Sequence, residues 1–148
     1  MRRYRKNVAF ILQRKDGCIL ICERSDRRDA WQFAQGGMNR GETEDEALAR
    51  EVLEEISLPP NCYEILEKKG PYRYEFRGKY KKEGFDGQEQ TYFLAKAIDP
   101  CESTIRVDEH EFRSFQWILP TEFKMEWVAP IKREVYARVF MDFFEIDL

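Results

Sequence analysis

The chain has 148 residues, of which 43% are hydrophobic and 36% charged, a composition typical of a globular domain with one core. Its net charge of −3 at pH 7 excludes a general attraction to nucleic acid, so an anionic ligand must be held by local cations. We expect one domain over residues 1–148 and no membrane contact, because no run approaches the roughly 20 apolar residues that a membrane span requires.

The N-terminus and the four cysteines indicate where in the cell the protein is located. The apolar run at residues 8–12 is too short for a signal peptide. Cys18 and Cys22 lie in a strand-like run, Cys62 and Cys101 stand alone, and none forms a metal-binding pair. We interpret them as buried free thiols rather than disulfides, which predicts a reducing, cytoplasmic location. No obligate protein partner is inferred.

The first elements in chain order are two strands. NVAFILQ and CILICE are rich in β-forming residues, and the Asp16-Gly17 dipeptide between them is a strong hairpin signal. A charged loop, SDRRDA, then leads into WQFAQGG.

A helix is predicted after the glycine pair. Thr43 and Glu46 have the spacing of a capping box, so the helix should begin near Glu44, and Pro59 and Pro60 should end it. Apolar residues at helical spacing predict its buried stripe. These residues are Leu48, Ala49, Val52, Leu53 and Ile56.

The second half of the chain alternates between strands and a final helix. YEILEKK, YRYEFRGKY, TYFLAKA and FRSFQWIL are predicted strands, and an amphipathic helix is predicted beyond Pro130. The apolar face of this helix comprises Ile131, Val135, Val139, Phe140, Phe143 and Phe144. Strands on both sides of a central helix, with a closing helix, predict the α+β class with a mixed sheet.

Three carboxylates cluster on the central helix. Glu51, Glu54 and Glu55 stand at positions i, i+3 and i+4, so they share one face beside the apolar stripe. Arg50 can pair with Glu54, but no basic residue lies at helical spacing from Glu51 or Glu55. The face is either an ordinary solvated surface or a site for a cation.

The glycine pair before the helix favours the cation. Gly36 and Gly37 place a loop without side chains near a helix N-terminus, where backbone N–H groups and the helix dipole favour anions. Carboxylates suit Mg²⁺, which commonly bridges protein carboxylates and substrate phosphates. Together these features predict a site that cleaves phosphoanhydrides. The chain has no P-loop, and its single histidine, His110, argues against a Ser-His-Asp triad.

The same segment resembles the signature of the Nudix hydrolases, G-x5-E-x7-R-E-U-x-E-E-x-G-U, in which U is aliphatic. Gly36 opens the match, Glu42 follows, and Arg50 begins the acidic core of the motif. The remaining matched positions are Glu51, Val52, Glu54, Glu55, Ile56 and Leu58. Ser57 replaces the last glycine, which eases a left-handed turn, so this departure concerns local geometry rather than ligand chemistry.

Further segments resemble the branch of RNA 5′-pyrophosphohydrolases and dinucleoside polyphosphate hydrolases. They are YRKNVAFI, AWQFAQGG, FDGQEQTYFL, EFRSFQW and IKREVYARV. Lys6 and Ala34 stand where the branch usually has proline, and Ile131 where some members have an aromatic that stacks on the base. The resemblance implies an α/β/α sandwich with a mixed sheet between helices. It implies as substrate a nucleoside 5′-polyphosphate, either 5′-triphosphorylated RNA or a dinucleoside polyphosphate such as diadenosine tetraphosphate.

The resemblance also implies roles on the metal side of the site. Glu51, Glu54 and Glu55 would bind Mg²⁺ or Mn²⁺, and Gly36 is assigned to the same metal site. Arg50 would orient Glu54 or Glu51, and Glu42 would hold the loop or reach a metal through water. Glu111 would ligate a metal or act as general base, unless it is only a surface acid.

Other residues are implied on the substrate side. Arg5 and Lys132 match basic positions near the phosphates, although each could be only a solvated charge. Gly36 and Gly37 would accept phosphate, and Gln88 or Gln90 would contact the nucleotide.

Several features have an ordinary structural interpretation beside a functional one. Tyr72, Tyr74 and Phe76 could stack on bases, but such a face is more often the core side of a strand. Lys79, Lys81 and Lys82 could bind RNA phosphates or form a solvated loop. His110 has no partner at metal-ligand spacing and is interpreted as incidental.

Two rival functions remain open at this stage. One is hydrolysis of free nucleoside triphosphates or nucleotide sugars by the same chemistry. The other is a nucleotide-binding domain without catalysis on the same scaffold. The complete set of acidic residues argues against the second, since a pure binder has no evident use for a metal cluster.

Overall fold

The computed structural model describes residues 2–77 and 84–148. Within them lie seven strands and two α-helices. The strands are β1 Tyr4–Gln13, β2 Ile19–Arg24, β3 Trp31–Gln32, β4 Ala34–Gly37, β5 Tyr63–Glu75, β6 Gly87–Ala97 and β7 Phe112–Ile118. The helices are α1 Glu44–Ile56 and α2 Arg133–Phe144.

The strands form one mixed sheet. Its main order is β3-β2-β1-β6-β5, with β4 paired to β1 and β7 paired to β2. Strands β1 and β6 run parallel, with Tyr4 opposite Gly87 and Gln13 opposite Lys96, and the other described pairs are antiparallel. The predicted β1–β2 hairpin and the predicted mixed sheet are both confirmed.

The sheet buries apolar side chains on both faces. Alternate residues of β1 point to opposite faces, so Val8 and Phe10 pack with α1 whereas Ala9 and Ile11 pack on the side of α2. Each helix therefore covers one face of the sheet. This is the predicted α/β/α arrangement within the α+β class.

Helix α1 begins and ends as the sequence predicts, but its buried face differs. Thr43 and Glu46 form the capping box, and Ser57 adopts the left-handed conformation at φ 61° that the signature glycine would supply. Leu53 is 52% exposed, whereas Glu55 is only 5% exposed. The prediction that Leu53 lies in the buried stripe is therefore wrong, because the helix turns Glu55 inward instead.

Two predicted strands of the second half form one. Strand β5 runs continuously across YEILEKK and into YRYEFRGKY, with register shifts between Ile65 and Glu67 and between Lys69 and Tyr72. Tyr72, Tyr74 and Phe76 are buried, which confirms the core interpretation of that face. The predicted basic cluster at residues 79–82 lies outside the described residues.

The cysteine prediction is wrong for one pair. Cys62 immediately precedes β5, and Cys101 lies in the turn after β6. Because β5 and β6 are antiparallel neighbours, these two chain positions lie side by side. Cys62 and Cys101 form a disulfide with their Cα atoms 5.4 Å apart, whereas Cys18 and Cys22 are free thiols.

Among the described helices, none is long and apolar enough to cross a membrane.

Candidate active site

A cavity of about 580 Å³ opens where β1, β4 and β6 meet α1 and the loops before β7 and α2. It brings together most of the residues predicted from the sequence. These are Arg5, Gly36, Gly37, Glu51, Glu55, Gln88, Glu111 and Lys132. Of the predicted residues, Glu42, Arg50, Glu54 and Gln90 do not line it. His110, interpreted as incidental, lies on its wall.

Arg50 connects the loop to the helix. Its guanidinium donates two hydrogen bonds to Glu42, at 2.7 and 2.9 Å, and one to Glu51 at 2.7 Å. A further bond at 2.9 Å reaches the carbonyl oxygen of Gly37. Glu54 is more distant, at 3.5 Å from Arg50 Nη1, and its side chain is 59% exposed. Arg50 therefore orients Glu51 more directly than Glu54.

Glu42 is held from two sides, which supports its predicted role in fixing the loop. Besides Arg50, its carboxylate accepts a hydrogen bond of 2.7 Å from the backbone N–H of Asn39. The hydrogen bonds from Arg50, followed by the one from Asn39, lower the pKa of Glu42 to about 2. Glu42 is thus ionised and fully engaged at neutral pH.

The two glycines allow close approach of charged groups to the backbone. A Cβ at Gly36 would overlap the carboxylate of Glu51, and a Cβ at Gly37 would lie 2.5 Å from Arg5 Nη2. Any other residue at either position would displace the carboxylate or the guanidinium from its present position. The glycine pair therefore allows Glu51 and Arg5 to lie against the backbone.

Glu55 is a buried carboxylate that forms no ion pair with the described residues. Its Oε1 accepts a hydrogen bond of 3.2 Å from the backbone N–H of Gln35. Burial is the largest cause that raises the pKa of Glu55, to about 9, followed by its hydrogen bond to Glu51 and the charges of Glu51 and Glu111. A divalent cation among these oxygens would reverse this effect by favouring the charged forms.

The carboxylates at the cavity are suitable ligands for a divalent cation, but further ligands from water or substrate are needed. Across residues 2–77 and 84–148, no three acidic, histidine or cysteine side chains converge as a complete metal-binding group. Mg²⁺ commonly keeps several waters and takes only a few protein ligands. Glu51, Glu55 and Glu111 are hard oxygen donors around one cavity, and water or phosphate oxygens would complete the coordination.

Glu111 is positioned by segment 105–111, which crosses the C-terminal end of α1. Asp108 donates its backbone N–H to the carbonyl oxygen of Glu55 at 2.9 Å, and Arg106 does the same to Ile56 at 3.1 Å. At the other end, the carbonyl oxygen of Glu111 accepts a bond of 2.9 Å from the N–H of Ser25. The segment thus ties Glu111 to the helix that carries Glu55.

The cavity is also lined by cations, one of which the sequence did not predict. Arg5 and Lys132 were predicted at the site, but Arg24, between CILICE and SDRRDA, was given no role. Arg24 donates two hydrogen bonds of 2.9 Å to Asp26 and lies 3.5 Å from Gln32 Oε1. Its place at the end of β2, beside β3, was the only available signal. Asn7 and Gln35 of the wall were also missed, since polar residues within strands carry no local motif.

A cavity lined by both carboxylates and cations is suited to an enzyme that processes polyphosphates with a divalent metal. A model of the NUDIX domain matches residues 3–139. The chain belongs to the Nudix family, and it is a Nudix hydrolase that acts on pyrophosphate bonds. Hydrolases of this family generally depend on divalent metals.

Named relatives cover nearly the whole chain. An RNA pyrophosphohydrolase of Helicobacter pylori (strain ATCC 700392 / 26695) is 39% identical over 149 residues, covering 96% of this chain and 94% of the relative. An RNA pyrophosphohydrolase of Erythrobacter litoralis (strain HTCC2594) is 33% identical over 151 residues, covering 95% of this chain and 91% of the relative.

Solved structures share the fold. A C. elegans Ap4A hydrolase in a binary complex superposes with a TM-score of 0.69 at 22% identity, covering 95% of this chain and 98% of that chain. The E. coli dihydroneopterin triphosphate pyrophosphohydrolase gives a TM-score of 0.72 at 18% identity, covering 95% and 99% of the two chains. These likenesses confirm the predicted Nudix fold.

Proposed function

We propose that the protein is an RNA pyrophosphohydrolase that removes phosphate from the 5′-triphosphate end of RNA. The observation that carries this proposal is that Glu51, Glu55 and Glu111 line the same cavity as Arg5 and Lys132. The relatives named RNA pyrophosphohydrolase, at 33% and 39% identity over nearly the full chain, support RNA as the substrate. In this proposal residues 1–148 act as one domain in the cytoplasm, where Cys62 and Cys101 would be reduced.

Mg²⁺ or Mn²⁺ is the proposed cofactor. Glu51, Glu54, Glu55 and Glu111 would hold it, together with the backbone oxygen of Gly36. When bound, the metal neutralises phosphate charge and makes a coordinated water more acidic. Glu54 would join this set only by turning inward, because its side chain is 59% exposed.

The protein's own side chains would align the polyphosphate. Arg5 and Lys132 would bind non-bridging phosphate oxygens, while Gly36 and Gly37 leave room for the Glu51 carboxylate and the Arg5 guanidinium beside the backbone. Arg50 would keep the Glu51 carboxylate in place through its 2.7 Å bond. Glu111 would then ligate the metal or accept a proton from the attacking water.

Dinucleoside polyphosphates are the second proposed substrate class. They present the same phosphoanhydride chain, with a nucleoside at each end. That chain would bind in the same cavity of about 580 Å³. Diadenosine tetraphosphate is therefore a suitable test compound.

The test measures phosphate and nucleotide release from four substrates with Mg²⁺, with Mn²⁺ and with a chelator. The substrates are 5′-triphosphorylated RNA, diadenosine tetraphosphate, GTP and ADP-ribose. We expect metal-dependent cleavage of the first two. Preference for GTP or ADP-ribose by tenfold or more would overturn the substrate assignment, and tight nucleotide binding without any turnover would indicate a binding domain.

A further inference from the structure

Two glutamines of β6 lie on the same face of the strand but differ in their hydrogen bonding. Gln88 and Gln90 lie two residues apart, so their side chains point to the same face of the sheet. Both are buried, with 8% and 2% of their surface exposed. Gln88 lines the cavity, whereas Gln90 lies behind it.

The amide of Gln90 is fully engaged by the protein. Its Nε2 donates to Asn7 Oδ1 at 2.9 Å and to Gln35 Oε1 at 2.8 Å. Its Oε1 accepts a bond of 3.4 Å from the hydroxyl of Tyr92. Every hydrogen-bonding atom of this amide therefore has a partner inside the fold, and its role is structural.

The amide of Gln88 differs. Its Oε1 is buried and accepts a hydrogen bond from no residue in the described part of the chain. Buried polar atoms in folded proteins nearly always have partners, so an unpaired one at the wall of a binding cavity requires an explanation, and a donor carried by the ligand supplies one.

The chemistry of the orphan atom restricts what the ligand offers. A carbonyl oxygen only accepts, and the oxygens of an ionised phosphate also only accept, so phosphate cannot satisfy it. Within a nucleoside polyphosphate, donors occur only on the sugar hydroxyls and on base N–H groups. Arg5, opposite Gln88 in the β1–β6 register, is the neighbouring group suited to phosphate.

On the basis of the proposed function, we propose that Gln88 recognises the nucleoside of the substrate by accepting a hydrogen bond from a sugar hydroxyl or a base N–H. It is thus a specificity-determining residue rather than a phosphate ligand. The cations of the cavity would bind the phosphate chain, and Gln88 would recognise the nucleoside attached to that chain.

The test compares Gln88→Met with the matched control Gln90→Met, since methionine keeps the length of glutamine without its amide. For Gln88→Met we expect KM for triphosphorylated RNA to rise about three- to tenfold, the range of one net hydrogen bond, with kcat little changed. The inhibition constant of inorganic tripolyphosphate, which has no nucleoside, should not change. Tm should be unchanged or higher, because an unpaired buried acceptor is removed.

Gln90→Met should instead lower Tm, because it breaks three hydrogen bonds of the fold. The source of the donor is found with two further substrates, one with a 2′-deoxy first nucleotide and one with inosine in place of guanosine. The wild type should discriminate against one of them, and Gln88→Met should lose that discrimination.

Two results would overturn the inference. One is an equal loss of affinity for tripolyphosphate and RNA in Gln88→Met, which would assign the residue to phosphate or to structure. The other is an unchanged KM. Failure of the proposed function is separate, since it would appear as no cleavage of RNA by the wild type. In that case the binding affinity of ATP relative to tripolyphosphate in both proteins still decides the role of Gln88.

Discussion

At the scale of single residues, Glu55 combines two properties that oppose each other. It is 5% exposed, yet it faces the carboxylate of Glu51 and a cavity that also contains Glu111. A buried carboxylate beside other acids is unfavourable in the charged form unless a cation compensates it. These properties support the proposal that Glu55 binds a metal.

Replacement of Glu55 or Glu54 by Gln should separate these effects. We expect each variant to lower kcat by about 10²-fold or more, the scale for loss of one strong electrostatic group. In the metal-free protein near neutral pH, Glu55→Gln should leave Tm little changed, because the raised pKa of Glu55 already keeps this carboxyl group neutral and glutamine retains its shape. Steady-state kinetics at saturating Mg²⁺ and calorimetry measure the two quantities.

The control for this prediction is Glu64→Gln, an exposed position on β5 outside the cavity. It should retain normal turnover. Near-normal turnover in both helix variants would show that α1 does not carry the active site.

Glu42 and Arg50 predict an acid-sensitive contribution to stability. The bonds from Arg50 hold the pKa of Glu42 at about 2, below the ordinary 4.5. The folded state therefore binds this proton less readily than the unfolded state. The stabilisation is complete above pH 4.5 and is lost as pH falls toward 2.

The corresponding measurement is Tm against pH for the wild type and Glu42→Gln. The difference between the two proteins should be greatest above pH 4.5 and should shrink steadily toward pH 2. Glu64→Gln again serves as control and should give no such trend. A difference that stays constant over this range would mean that the ion pair does not contribute through ionisation.

At the scale of elements, the site depends on segment 105–111 as much as on α1. The segment supplies backbone donors to the last carbonyls of the helix, and it carries Glu111 into the cavity. Its beginning lies close to Cys101, which the disulfide attaches to the start of β5. Helix end, segment and strand are thereby joined into one unit.

The disulfide should stabilise the protein under oxidising conditions. The two cysteines are 39 residues apart, and the chain-entropy relation for such a loop gives about 4 kcal/mol in the free energy of unfolding. We expect a variant with Cys62→Ser and Cys101→Ser to lose about this amount relative to the oxidised wild type. Chemical denaturation with and without a reducing agent makes the comparison.

Under reducing conditions the wild type should fall to the stability of this variant. Cys18→Ser, which changes a free thiol, is the control and should respond to the reductant as the wild type does. Equal stability of the oxidised wild type and the double variant would show that the two thiols stay unpaired.

Features that depend on residues close together in the sequence could be predicted, whereas features that depend on distant residues could not. The hairpin at Asp16-Gly17 and the cap at Thr43 depend on neighbouring residues, so both were correctly predicted. The exposure of Leu53 and the burial of Glu55 depend on how α1 rotates against β4, which helical spacing does not determine. The Cys62–Cys101 pair likewise requires knowledge that β5 and β6 are neighbours.

The candidate site shows the same division. Residues within the signature, such as Glu51 and Gly36, were found because their spacing is local. Arg24 and Asn7 reach the cavity only through strand pairing, and Gln88 is distinguished from Gln90 only by its missing partner. A chemical motif locates the reaction, but the folded chain determines which further groups surround it.

At the scale of the whole molecule, the charge distribution matters for long substrates. With a net charge of −3, binding of RNA beyond its first phosphates must use local cations near the cavity. Arg2 is paired with Glu75 at 2.8 Å, and Arg3 lies over the ring of Phe85. Lys6 lies at a second cavity, of about 360 Å³, beside α1.

We therefore expect turnover of triphosphorylated RNA to depend more on salt than turnover of diadenosine tetraphosphate. Each added phosphate contact contributes about −0.7 to the slope of log affinity against log salt for a single strand. Lys6→Ala should make the slope for RNA shallower by about this amount, while the slope for the dinucleotide should not change. The quantity to measure is kcat/KM between low and physiological salt.

Lys96→Ala is the control, because Lys96 is exposed near the other end of β6. Its slope should equal that of the wild type. Equal slopes for RNA and for the dinucleotide in the wild type would show that only the reacting phosphates are bound. Lys6 would then make no contact with RNA.

The parallel pairing of β1 with β6 has a consequence for synthesis on the ribosome. β1 ends at Gln13, but its long neighbour is complete only at Ala97. At ordinary translation speeds, the first strand waits roughly 4–17 s for that neighbour. During this interval β2 and β4 can already pair with one edge of β1, while the edge that later pairs with β6 stays open. Residues 8–12 of β1 are all buried in the finished protein. The nascent chain is thus most exposed to aggregation or to chaperone binding just before β6 emerges.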